Sequence, residues 1–75
     1  MTWLPLDSQM FLSLAYDATH RILYLRFRSG DVSRYFHFSQ DDYQLFLAAE
    51  SKDRHFLSHI RDRFPYERLA KLQVA

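Results

Sequence analysis

Two adjoining stretches of alternating apolar residues, separated by the only glycine of the chain, constrain the fold most strongly. Apolar side chains recur at every second position of residues 21–28, which is the period of a β-strand. Residues 32–38 form a second such stretch. Gly30 lies between the two, where a tight turn requires positive φ. The pattern predicts a β-hairpin that is covered on one face. The apolar face of the first strand holds Leu23, Leu25 and Phe27.

The burial of the second strand is harder to predict. A shift of one residue in the hairpin register would exchange the two faces of residues 32–38. We expect Phe36 and Phe38 to contribute to the core, and Tyr35 to be partly buried at its edge.

Residues 9–16 predict a further strand, before the hairpin. Its alternating positions Leu12, Leu14 and Tyr16 are expected to share one face. Phe11 then falls on the opposite face, unless a β-bulge turns it inward.

Two helices are predicted after the strands. Ser39 is expected to cap the first helix, which runs to about Ala49, and Ser51 to cap the second. Pro65 ends the second helix, because the residue before a proline is disfavoured in helical geometry. The predicted fold is therefore α+β, a three-stranded antiparallel meander followed by two helices packed on one face (β-β-β-α-α). The helix positions expected to face the sheet are Tyr43, Phe46, Leu47, Phe56, Leu57, Ile60 and Phe64.

The chain divides into an N-terminal apolar arm (residues 1–7), a domain (8–68) and a tail (69–75). Pro5 disfavours a regular element in the arm. We expect Trp3, Leu4 and Leu6 to cover an apolar patch of the domain; the alternative is that they bind a protein partner. Residues 66–72 are expected to add a short helical turn.

The composition excludes several classes of protein. A chain of 75 residues is long enough for one small domain. It has no cysteine, so disulfides, thiolate zinc sites and cysteine nucleophiles are excluded. The absence of a signal peptide, together with the absence of cysteine, favours a cytoplasmic location. No apolar run approaches the roughly 20 residues of a membrane span.

The charges are unevenly distributed along the chain. Residues 1–51 carry four arginines against six acidic side chains, whereas residues 52–75 carry six basic against three acidic ones. A basic second helix permits binding of an anionic partner, RNA or another nucleic acid. The alternative is that these arginines form ion pairs within the domain. The candidate nucleic-acid-binding residues are Arg34, Tyr35, Lys52, Arg54, His59, Arg61 and Arg63.

No pattern of residues indicates catalysis. One glycine cannot form a phosphate-binding loop, and the serines have no evident base. His55 and His59 have the i, i+4 spacing of a metal pair, but no third ligand is evident. We therefore predict a small non-catalytic binding module without cofactor or metal. Its partner is a nucleic acid or, alternatively, a protein or a second copy of the chain.

Several short stretches resemble the KTSC domain, which is named for its occurrence at the C-terminus of some lysyl-tRNA synthetases. The most specific is the run from His59 to Tyr66; others are Tyr16-Asp17, Phe27 to Gly30, Val32 to Phe36 and Ser51-Lys52. The resemblance covers roughly residues 8–68 and implies a compact domain for which RNA binding has been suggested. Three departures from the family pattern, Ser33, Asp53 and Leu57-Ser58, remove an aromatic and a positive charge and add a negative one.

Overall fold

The computed structural model describes residues 2–69, which form a five-stranded antiparallel sheet and two helices. The strands follow one another across the sheet in chain order, β1-β2-β3-β4-β5. The α+β class is confirmed, but the predicted count of three strands is wrong, because a strand is added at each edge. The elements are β1 (Leu4–Pro5), β2 (Phe11–Asp17), β3 (Ile22–Phe27), β4 (Val32–Tyr35), α1 (Gln40–Ala48), α2 (Lys52–His59) and β5 (Tyr66–Leu69).

The arm provides the first of these edge strands. Leu4 lies opposite Leu14 of β2 and Pro5 opposite Ser13, and the Leu6 amide donates to the Leu12 carbonyl at 3.0 Å. A proline is compatible with an edge strand, because its missing N–H can lie on the unpaired side. The expectation that Pro5 prevents a regular element is therefore wrong for these two residues.

A β-bulge in β2 decides which of its side chains enter the core. The register shifts between Phe11, opposite Phe27, and Ser13, opposite Arg26. Phe11 is completely buried, whereas Leu12 is 42% exposed. The bulge alternative for Phe11 is confirmed, and the placement of Leu12 on the core face is wrong.

The face of β4 that packs on the helices carries Tyr35, which is buried in the core cluster. Its neighbour Phe36 lies outside the core, with the Arg34 guanidinium 5.3 Å from its ring centre. His37 then adopts φ 59°, and this turn buries Phe38. The prediction of a core position is therefore confirmed for Phe38 and wrong for Phe36.

Serine caps begin both helices, as predicted. Ser39 and Asp42 form a reciprocal capping box at α1, and the Ser51 hydroxyl accepts a hydrogen bond from the Arg54 amide at 3.1 Å. The α1 residue Phe46 is completely buried, as its place on the apolar stripe predicts.

Helix α2 is shorter than predicted. It ends at His59, and a turn leads the chain to Phe64. The ring centre of Phe64 lies 4.8 Å from the ring centre of Phe38. Phe56 and Ile60 face the sheet and are buried. Leu57 is 43% exposed, so its predicted core position is wrong.

The last described strand replaces a predicted helical turn. The Phe36 amide donates to the Pro65 carbonyl at 2.9 Å, and β5 then pairs antiparallel with β4. This pairing satisfies backbone groups along β4 that an isolated helical turn would leave free. The helical prediction is wrong for residues 66–69; residues 70–72 and the rest of the proposed tail lie outside the described part of the chain.

Candidate functional site

The basic residues of α2 and of the turn after it lie on two sides of the helix: Arg54 lies with His55 and His59 on one side, and Arg61, from the turn, lies on the other. His55 and His59 line a cavity of about 290 Å³ together with Arg63 and the rings of Phe38 and Phe64; we call it the histidine cavity. The other side borders a groove of the same volume, the tyrosine groove. The tyrosine groove is lined in part by Asp31, Tyr35, Phe56, Leu57, Arg61, Tyr66 and Arg68.

The two charged residues that begin α2 are held by neighbouring structure. Lys52 Nζ donates to the Ala49 carbonyl at the end of α1, at 2.6 Å. The Asp53 carboxylate accepts from the Ser8 hydroxyl and from the amides of Gln9 and Met10. These hydrogen bonds, the one from Ser8 above all, lower the pKa of Asp53. Both side chains therefore fix α2 in place, and the charge of Asp53 is engaged by the segment before β2.

Four of the predicted cations are exposed: Arg54, His59, Arg61 and Arg63. Among the ion pairs of the described residues, this group takes part in one contact, between Arg61 Nε and Asp62 Oδ2 at 3.7 Å. Both side chains of that pair are more than half exposed, and such surface pairs contribute little to stability. These cations therefore face solvent on the surface of α2 and the turn that follows it.

The two histidines of α2 stack on each other. Their ring centres are 4.7 Å apart with planes 16° apart, and His55 also packs 5.5 Å from the Phe46 ring. Burial lowers the pKa of His55, with smaller contributions from His59 and Lys52. Within residues 2–69, no three histidine, aspartate or glutamate side chains come close enough together to hold a metal ion.

The structure keeps Arg34 apart from the basic residues of α2 and the following turn, and it buries Tyr35 in the wall of the groove that Arg61 borders. Arg34 lies on the sheet face away from the helices and pairs with Glu67 at 2.5 Å. Tyr35 is 3% exposed, and its ring contacts Phe56 and Tyr66. Burial above all raises the pKa of Tyr35 to about 12. Neither face of the Tyr35 ring is open to a ligand.

Sequence reasoning missed two residues that border Arg61 in the tyrosine groove. Tyr66 is 59% exposed, with its ring stacked on Tyr35 at a centroid distance of 5.5 Å and planes 25° apart. Arg68 lies opposite Ser33, on the same sheet face as Tyr66. Reading residues 66–69 as a strand would have placed both side chains on one face. The helical interpretation concealed this.

The residues of the proposed partner-binding arm are largely engaged by the domain itself. The Trp3 ring stands edge-on to Tyr24 at 6.5 Å, and the Arg26 guanidinium lies 4.4 Å from its centre. Leu6 packs against the core cluster. Leu4 is 41% exposed.

Comparison with known protein families and solved structures identifies proteins that share this architecture. The sequence model of the KTSC domain matches residues 7–64. The chain belongs to the KTSC domain family. The KTSC fold is also found in the crystal structure of a KTSC domain protein from Yersinia pestis. That protein is 29% identical in sequence, with a TM-score of 0.87 over 92% of this chain and 97% of that one. No curated protein matches the chain. No helix in residues 2–69 is long and apolar enough to cross a membrane.

Proposed function

We propose that this KTSC protein is a non-catalytic module that binds single-stranded RNA or another nucleic acid through α2 and the turn that follows it. The observation that carries the proposal is the exposure of four basic residues, Arg54, His59, Arg61 and Arg63. Among the ion pairs of the described residues, this group takes part in one, the long contact of Arg61 with Asp62. Exposed arginines that are not held in short ion pairs can neutralise phosphates and release their counterions.

The acidic residue inside α2 does not oppose this role. Asp53 accepts hydrogen bonds from Ser8, Gln9 and Met10, so its charge is directed toward the segment before β2. Asp62 remains exposed beside Arg61. The surface is therefore basic in balance, with cations contributed by both the helix and the turn.

A salt titration with matched variants tests the proposal. Binding of a fluorescently labelled single-stranded RNA is followed by anisotropy at several salt concentrations. The affinity is expected to fall with salt, with a slope in log K of about 0.7 for each phosphate neutralised. Replacing Arg54→Gln and Arg63→Gln together should reduce that slope by about 1.4, because two contacts are lost.

Arg21→Gln provides the control for charge loss away from α2, because it removes one positive charge, half of what the double variant loses, from the turn between β2 and β3. Arg21 lines neither the histidine cavity nor the tyrosine groove. The proposal fails if the wild-type protein shows no saturable binding at low salt. It also fails if the double variant, folded by circular dichroism, binds as tightly as Arg21→Gln.

A protein partner at the arm, or self-association, has less support. Trp3 and Leu6 contact their own domain, which leaves Leu4 as the exposed apolar side chain of the three. If the arm is an interface, Leu4→Ser should weaken a complex or dimer detected by sedimentation without unfolding the domain. A monomer at all concentrations would count against self-association.

A further inference from the structure

The tyrosine groove combines an aromatic wall with a cationic rim. Its buried side consists of the rings of Tyr35 and Phe56, and Leu57 and Tyr66 form its exposed margin. Its volume of about 290 Å³ lies just below the range of about 300–1,000 Å³ usual for small-molecule sites. The groove is therefore of a size for one small planar group.

The Tyr66 ring is supported by a stacked neighbour, and the residue is largely exposed. Tyr35 supports it from within the core, and 59% of the Tyr66 residue remains exposed. Because Tyr35 is buried and fixed by Phe56, the stacked pair has little freedom to collapse. A fixed and exposed ring is the arrangement on which unpaired bases stack, and such stacking tolerates any base.

Two arginines from different elements border this ring. Arg61 comes from the turn after α2, and Arg68 comes from β5, opposite Ser33. Arg68 is near enough to the buried tyrosine to act against the rise in the Tyr35 pKa. The acidic residue that lines the groove is Asp31, and Asp62 stands beside Arg61. The two acids offset much of the positive charge of the two arginines. The groove is therefore suited to one phosphate held directly between the arginines rather than to a long polyanion.

We infer that this groove binds one unpaired nucleotide, with its base packed against the exposed part of the Tyr66 ring and its phosphate between Arg61 and Arg68. The inference treats this nucleotide as part of a bound RNA, and it therefore rests on the proposed function. The groove adds a preference for unpaired over duplex nucleic acid, because the faces of paired bases are covered by their neighbours in the stack.

A titration with mononucleotides tests the groove directly. Isotopically labelled wild-type protein is titrated with AMP, and separately with ribose 5-phosphate, and amide shifts are followed by NMR. AMP is expected to shift the amides of Arg61, Tyr66 and Arg68 saturably and to bind at least about fivefold more tightly, because it adds stacking to the phosphate contact. Equal affinity for the two ligands, or shifts confined to other residues, would overturn the inference.

Tyr66 variants test the groove in the context of RNA. Tyr66→Leu keeps an apolar side chain but removes the ring, and should weaken binding of single-stranded RNA about tenfold without changing the salt slope. Tyr66→Phe keeps the ring and should retain the affinity. Thermal unfolding shows whether each variant is folded.

The outcomes separate the inference from the proposed function. If folded Tyr66→Leu binds RNA as tightly as wild type while the Arg54 and Arg63 double variant does not, the groove is wrong and the function stands. If wild-type protein binds AMP at Tyr66 but no RNA at low salt, the groove stands and the function is wrong. A duplex of the same sequence that competes as well as the single strand would also count against the groove.

Discussion

Asp53, in the first turn of α2, accepts a hydrogen bond from the hydroxyl of Ser8, which lies 45 residues earlier in the chain. The same carboxylate accepts from the amides of Gln9 and Met10. Ser8 in turn accepts from the amides of Met10 and Phe11 at 3.0 Å. This network joins the start of the basic helix to the start of β2, so the position of the proposed binding surface depends on it.

Asp53→Asn should lower the melting temperature at neutral pH. It should also make the melting temperature less sensitive to a fall in pH. The folded-state pKa of Asp53 lies below the unfolded value. The stabilisation that the Asp53 carboxylate gives to the fold is therefore fully present above the unfolded pKa, about 3.9, and is lost as pH falls through the folded pKa. Thermal unfolding between pH 7 and pH 2.5 measures this. Asp7→Asn, the same change in the exposed part of the arm, is the control; equal acid sensitivity of wild type and Asp53→Asn would contradict the network.

Phe11→Ala and Leu12→Ala should differ sharply, although the two residues are neighbours. Phe11 is completely buried against Phe27, Phe46 and Phe56, and removing such a ring costs about 3–5 kcal/mol. Leu12 is exposed, so its truncation should cost less than about 1 kcal/mol. Urea unfolding measures both, and Phe11→Leu provides a milder variant if Phe11→Ala does not fold. Similar losses at positions 11 and 12 would show that the bulge is misplaced.

Arg26→Gln should loosen the arm. The Arg26 guanidinium lies over Trp3, and an exposed cation–π contact is worth about 0.5–1 kcal/mol. Trp3 is the only tryptophan, so tryptophan emission reports on the surroundings of this one ring, which include Tyr24 as well as Arg26. We expect a change in the Trp3 emission together with a small loss of stability. Arg21→Gln should change neither, and an unchanged Trp3 emission in Arg26→Gln would argue against the packing of the arm.

Arg34→Gln should leave RNA affinity unchanged if α2 is the binding surface. Arg34 pairs with Glu67 on the sheet face away from the helices. Its loss should lower stability only slightly, because both partners are partly exposed. Anisotropy with labelled RNA and urea unfolding check the two expectations. A loss of affinity equal to that of the Arg54 and Arg63 double variant would move the interface to the other face.

Patterns within a few residues were sufficient to predict several parts of the fold. The alternation of β3 and the serine caps of both helices were predicted, because strand period and capping are local properties. The core positions of Phe46, Phe56 and Ile60 followed from helical spacing. For the candidate site, the chemical types of the basic residues were evident, but not that Arg61 lies apart from Arg54, His59 and Arg63.

The family, the α+β class, the caps and the basic character of α2 were determined by the sequence alone. Only the tertiary structure decided that Phe11 turns inward at a bulge, that Phe36 and Phe38 face opposite ways, and that β5 closes the sheet edge. Each of these depends on contacts between distant residues, such as Tyr66 with Tyr35. Strand pairing is set by the partner strand as much as by local propensity, so residues 66–69 became a strand where local spacing suggested a helix.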